Sequence, residues 1–156
     1  MKQHSEIGAM LAEHEFLRGM SSKHIALMEE FTSVDTFHPG DYVFRAGEEA
    51  EYTYLIRSGR ISIEIYDPQR GAVLLETIAA EKVLGWSWLV PPYKWCFDAR
   101  AVEVTRMLCL NAERLRQAGE LDHEFGYEFH KRFTGVFAER LRAARLQLMD
   151  MYGPLT

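Results

Sequence analysis

Between Val34 and Leu110 the apolar residues tend to recur at every second position, and turn signals cut the stretch into short lengths. The signals are Pro39-Gly40-Asp41, Ala46-Gly47-Glu48, Ser58-Gly59 and Asp67-Pro68-Gln69-Arg70-Gly71. A period of two is that of a strand with one buried face, and short strands at regular intervals bury that face by wrapping into a sandwich or barrel. The clearest strand is Arg60-Ile61-Ser62-Ile63-Glu64-Ile65-Tyr66, whose isoleucines alternate with polar residues and predict one inner and one wet face.

Helical patterning flanks this section on both sides. Ile7, Met10 and Leu11 mark a short amphipathic helix, and Ser21-Ser22-Lys23 offers a cap for a second one carrying Ile25, Leu27 and Met28. Asn111, with Glu113 in the first turn, opens the C-terminal helices, and Asp122 begins a long one reaching about Met151 and ending at Gly153-Pro154. On that helix Phe125, Phe129, Phe133 and Val136 share one stripe, suited to closing onto the β section. Phe137, Leu141, Ala144, Leu148 and Met151 form a neighbouring stripe of near-heptad spacing, which predicts a homodimer paired through this helix. Lys131, Arg132, Arg140, Arg142 and Arg145 read as a solvated basic face with Glu124, Glu128 and Glu139 as intrahelical partners. One domain over 1–156 is expected, with a helical lead-in at 1–33, a β section at 34–110 and C-terminal helices at 111–152.

The formal charge of −5 argues against direct nucleic-acid binding, which rests on a basic surface. No apolar run is long enough to span a bilayer, and the charged N-terminus does not read as a signal core, so a cytoplasmic protein without membrane contact is expected. Cys96 and Cys109 form no disulfide framework and are read as buried thiols. The six histidines are scattered, without the H-x-H pair of a cupin-type metal enzyme, and no P-loop or G-x-S-x-G elbow is present. Glu48, Glu49 and Glu51 read as a solvated surface turn, not as acid–base catalysts. No catalytic residue, metal or cofactor is expected.

All three tryptophans fall in Val83–Arg100, VLGWSWLVPPYKWCFDAR. Gly85 can adopt a backbone conformation closed to other residues or admit a close neighbour, and Pro91-Pro92 bars a regular element, so the stretch reads as a stiff loop between strands. Aromatic rings at this density either fill a cavity or line one for a ligand, and spacing leaves both open.

The segments Phe37-His38-Pro39-Gly40-Asp41-Tyr42-Val43-Phe44-Arg45-Ala46-Gly47-Glu48 and Tyr54-Leu55-Ile56-Arg57-Ser58-Gly59-Arg60-Ile61-Ser62-Ile63 resemble the glycine-punctuated strands of the cyclic-nucleotide-binding domain family, of the catabolite-activator and fumarate-nitrate regulator type. The resemblance covers roughly Phe16 to Met151. It implies a mainly β fold with flanking helices, a double-stranded β-roll (jelly roll) with N-terminal helices and a long C-terminal helix. It also implies a phosphate-binding cassette: a glycine, a glutamate for the ribose, a helical turn, then an arginine for the cyclic phosphate. Gly85 matches the glycine, but the glutamate position holds Trp86, followed by Ser87 and Trp88, and the arginine position falls on Trp95 or Cys96.

The expected function is that of a non-enzymatic regulatory or sensor protein of this type without a DNA-binding domain, with weak or no cyclic AMP binding. Its ligand pocket would be built from Gly85, Trp86, Ser87, Trp88, Trp95, Cys96 and Arg100, open to a small molecule, and it would act through a partner protein. The alternative is a functional cyclic nucleotide receptor in which Arg100, within Ala99-Arg100-Ala101, takes the phosphate, with Lys94 as a further cation.

Overall fold

The computed structural model describes residues 2–152. Two helices lead in, α1 (Lys2–Glu13) and α2 (Ser22–Glu29), with a 3-10 turn at Glu15–Leu17 between them. The Ser21 side chain caps α2 by accepting from the His24 amide at 3.3 Å. Eight strands follow: β1 (Thr32–Phe37), β2 (Tyr42–Phe44), β3 (Tyr52–Ser58), β4 (Arg60–Asp67), β5 (Gly71–Ala79), β6 (Val83–Leu84), β7 (Asp98–Ala101) and β8 (Thr105–Asn111). Two C-terminal helices close the chain, α3 (Ala112–Leu121) and the 30-residue α4 (His123–Tyr152). Asn111 caps α3 as expected, accepting from the Arg114 amide at 3.0 Å, and Asp122 accepts from the Phe125 amide at 3.1 Å where α4 begins. The expected stop at Gly153-Pro154 lies outside the described residues.

The strands form two antiparallel four-stranded sheets, ordered β1-β8-β3-β6 and β2-β7-β4-β5, the β-roll that the resemblance implies. Ile61 and Ile63 face the interior, opposite Ala101 and Ala99 of β7. The predicted alternation stops there: the β4–β5 register shifts between Ile63 and Glu64, and Ile65 beyond it is 44% exposed. Val102 to Val104 form the bend between β7 and β8, so the last strand begins at Thr105.

The first stripe of α4 is buried, but the rings that meet it come from the lead-in and from Trp88 and not from the strands. Phe125, Phe129 and Phe133 are buried, and Phe16 meets Phe129 and Phe133 edge to face at 5.7 and 5.0 Å. The basic face of α4 is not simply solvated. Arg132 pairs with Glu128 but also donates to the carbonyls of Phe16 and Arg18, both at 2.9 Å, so it ties the lead-in to α4. Arg140 reaches the β-roll, as described below, and Glu139 pairs with Lys82 instead of an intrahelical partner. His14 makes the matching anchor at the other end. Its Nε2 donates to the Ile56 carbonyl at 2.8 Å, and its Nδ1 accepts from the Phe16 amide at 3.2 Å.

Candidate functional site

The site is an interior space between the β2-β7-β4-β5 sheet, the Val83–Arg100 stretch and α4. After β6 the chain passes Gly85 into a 3-10 turn at Ser87–Leu89, then crosses the prolines to Trp95 before entering β7. The cavity has a volume of about 510 Å³. Gly85, Trp86, Ser87, Trp95 and Cys96 line it, together with Phe44, Ile63, Leu75, Ile78 and Phe97 from the roll.

Trp95 defines the floor. Its ring stacks on Phe44 with centroids 3.8 Å apart and planes 8° from parallel, and the residue is 5% exposed. Tyr54 sits beside the pair at 6.4 Å from Trp95. Gly85 combines both properties that its sequence position allows: φ is +95°, and a methyl group on it would stand 2.5 Å from the Trp95 ring. The Gly85 carbonyl accepts from the Thr53 hydroxyl at 3.0 Å, which fixes the loop to β3. Ring and glycine therefore fit each other, and no larger residue fits at Gly85 while Trp95 lies where it does.

Helix α4 forms the roof through Arg140, Ala143, Ala144 and Gln147. Arg140 donates to Glu76 at 3.2 Å and to the Val83 carbonyl at 2.9 Å, and its guanidinium lies 5.3 Å from the centre of the Trp86 ring. Gln147 donates to the Leu75 carbonyl at 3.3 Å. Trp86 meets Phe137 edge to face at 5.8 Å, so one cassette tryptophan is bonded to the helix by packing and by charge. Among the described residues Arg140 is the one cation in the lining, and Glu76 already answers its charge.

Two residues expected in the pocket lie elsewhere. Trp88 turns away from the cavity and is 1% exposed among the helices, edge to face with Phe129 and Phe133 at 5.9 and 5.4 Å. Its carbonyl accepts from Arg116 at 2.7 Å, whereas its indole N–H has no partner among the described residues. Arg100 is on the outer face of its sheet. Ala99 and Ala101 point inward opposite Ile63 and Ile61, so the residue between them must point out. There it donates to Glu64 at 2.9 Å, and Glu64 also accepts from the Ser62 hydroxyl at 2.7 Å. Bonding to Glu64 holds the Arg100 guanidinium above its ordinary pKa. Lys94 does not line the cavity; its segment forms a bridge with Glu49. Cys96 lies in the bend before β7 and is exposed, not buried, whereas Cys109 is buried and its thiol pKa is pushed up to about 12.

Several lining residues were not singled out from the sequence. Ile63 was legible as an inward position of β4, and Arg140 lies one turn before Ala144, on the same helical face. Phe44, Glu76 and Gln147 reach the site only through pairings distant in sequence and carry no local signal. Ala144, assigned to the dimer stripe, faces the cavity.

A β-roll with lead-in helices and a long helix roofing an inner cavity is the frame in which this site is set. The model of the cyclic nucleotide-binding domain family matches residues 34–121, and the chain belongs to that family. No curated protein matches it by sequence. Among solved structures, a cyclic nucleotide-binding domain from Methylobacillus flagellatus superposes with a TM-score of 0.78 at 15% identity, covering 99% of this chain and 86% of that one. The sensor domain of the transcriptional regulator DNR from Pseudomonas aeruginosa gives 0.72 at 16% identity, covering 91% and 95%. The regulatory subunit of a cAMP-independent protein kinase A from Trypanosoma brucei gives 0.63 at 18% identity, covering 86% of this chain and 52% of that one. At these identities the likeness is one of fold. No helix among the described residues is long and apolar enough to cross a membrane.

Proposed function

We propose that the chain is a sensor domain of this family that has exchanged its anion grip for indole and takes a flat, uncharged, largely apolar molecule in place of a cyclic nucleotide. The observation that carries this reading is Trp95, which stands at the expected arginine position and is packed between Phe44 and Gly85. A cyclic phosphate brought into this cavity would meet aromatic faces and one arginine already engaged by Glu76. Burying an anion without a counter-charge costs several kcal/mol, and every ~1.4 kcal/mol is tenfold in affinity. Arg100, the sequence's candidate for the phosphate, is held outside by Glu64.

Room for a ligand remains above the stack, and its walls suit a planar apolar body with a small number of polar atoms facing Ser87 and Gln147. A ligand there touches both the cassette loop and α4, so its affinity differs between a closed and an open helix, which is the requirement for a switch. The output would pass through α4 to a second copy of the chain or to a partner protein. The Trypanosoma brucei subunit supports the weight placed on the cassette: it is described as cAMP-independent, and a variant with three substitutions, one introducing an arginine, is bound to cAMP in its A site.

Thermal-shift and calorimetric titrations with cyclic AMP, cyclic GMP and a panel of neutral aromatic molecules test this reading. Neither cyclic nucleotide should give a saturable shift at about millimolar concentration, whereas a fitting aromatic ligand should raise the melting temperature and change tryptophan emission. Tight cyclic AMP binding that disappears in Arg100→Ala would refute it.

A further inference from the structure

A cleft of about 410 Å³ lies between α2 and the joint of α3 with α4, away from the cavity under the roof helix. Helix α2 supplies one apolar wall through Ala26 and Leu27, and the joint supplies the other through Ala118 and Leu121. Leu121 is 90% exposed, so a body in the cleft would shield apolar surface that now meets water. The joint itself is fixed by backbone contact. A methyl group on Gly126 of α4 would stand 2.8 Å from the Gly119 carbonyl oxygen of α3, and Asp122 Oδ1 accepts from the Phe125 amide at 3.1 Å.

His24 is the independent sign of a ligand. It lines the cleft, it is 3% exposed, and its ring is set edge to face against Phe125 at 5.3 Å. Its Nε2 is buried and has no hydrogen-bond partner among the described residues. That nitrogen faces Asp122 Oδ2 across 3.7 Å, too wide for a hydrogen bond. The Asp122 side chain is 30% exposed and also lines the cleft, so the unbonded pair opens onto it. A buried polar atom without a partner costs stability that a ligand supplying the bond recovers.

Opposite charges flank this nitrogen. The bond from the Phe125 amide, and after it the nearby Lys23 charge, holds the Asp122 carboxyl below its ordinary value, so it stands as an anion. Lys23 is exposed, lines the cleft and is in no ion pair among the described residues. No group of three metal-binding side chains among the described residues is arranged to hold an ion. A primary ammonium, with three N–H bonds, can instead donate to Nε2 and Oδ2 at once, and a carboxylate one carbon away from it answers Lys23. Glu30, at the C-terminal end of α2, is already paired with Arg114, which leaves the apolar walls for the rest of the molecule. We propose that this cleft binds a free α-amino acid with an aliphatic side chain, its ammonium bridging His24 and Asp122, its carboxylate on Lys23 and its side chain between Leu27 and Leu121. The site does not depend on what the cavity under α4 takes.

Isothermal titration of the full chain with L-leucine tests the proposal, against isoamylamine, which lacks the carboxylate, and isocaproate, which lacks the ammonium. Saturable one-to-one binding of leucine is expected, with each comparator at least about tenfold weaker. Asp122→Asn keeps an oxygen for the Phe125 amide and removes the charge, and should weaken leucine about tenfold or more. Lys23→Gln should weaken it several-fold and bring its affinity close to that of isoamylamine. Lys23 is exposed, so its variant decides the matter even if Asp122→Asn disturbs the start of α4. Absence of leucine binding, equal affinity for either comparator, or affinity unchanged in Lys23→Gln would overturn the proposal.

Discussion

His14 joins the lead-in helices to the β-roll through a single ring, and its two nitrogens have opposite roles. Nε2 donates to the Ile56 carbonyl and Nδ1 accepts from the Phe16 amide, an arrangement only the neutral tautomer supplies. A second ring proton would face the Phe16 N–H. Burial accordingly pushes the His14 imidazole below its usual value of 6.5, against the weaker opposing pull of the Ile56 bond and the nearby glutamates. Because the folded value is the lower one, the unfolded chain takes up the proton first as pH falls. The stabilisation is thus complete above about pH 6.5 and is lost as pH drops through the depressed folded value. Thermal melts from about pH 7.5 to 5 should show a steeper loss for the natural chain than for His14→Gln, whose amide can still donate to Ile56. Equal slopes would show that this ring does not couple to folding.

At the scale of elements, α4 is held on the roll by a small number of polar bonds beyond its phenylalanine stripe, and Arg140 makes two of them. Its side chain is 16% exposed, and it spans Glu76, the Val83 carbonyl and the Trp86 face. Arg140→Met keeps most of the stem's packing and removes the bonds, for an expected loss of about 1–3 kcal/mol. Hydrogen exchange should accelerate in α4 beyond Phe133 and remain unchanged in the strands, since Phe125 to Phe133 still pin the helix start. Uniform acceleration would mean that Arg140 supports the whole fold, not the roof alone. The roll, the caps at Ser21 and Asn111 and the phenylalanine stripe were legible because each rests on a local period or a cap geometry. The outward aim of Arg100 was legible in principle, since strand parity follows once Ala99 and Ala101 are placed inside. The stack of Trp95 on Phe44 and the reach of Arg140 to Glu76 depend on segments distant in sequence. No spacing within one segment encodes them, and the same holds for the descent of Trp88 into the helices, away from the pocket.

At the scale of the molecule, the roof helix extends past what the roll covers. Its last turns leave Leu141, Leu148, Met151 and Tyr152 exposed at 54%, 51%, 80% and 83%. Ala144, within the near-heptad stripe, lines the cavity and Phe137 packs on Trp86, which leaves Leu141, Leu148 and Met151 as its exposed part. An apolar strip on a long surface helix is stabilised by pairing with its own copy about a twofold axis, and α4 would then carry a change in the cavity directly to the partner subunit. Sedimentation equilibrium should therefore give the mass of two chains at about micromolar concentration for the natural protein. Leu141→Glu together with Leu148→Glu places charges on that strip and should give one chain, with the β-sheet circular dichroism unchanged because neither residue packs in the core. A double variant that still sediments as two chains would place the dimer contact elsewhere, and a natural chain that stays single at every concentration would leave the strip for a different protein. In such a dimer, a ligand that altered the hold of Arg140 on Glu76 would change the angle at which two such helices meet, so its binding should be linked to the monomer–dimer equilibrium and shift it in proportion to its preference for one helix position.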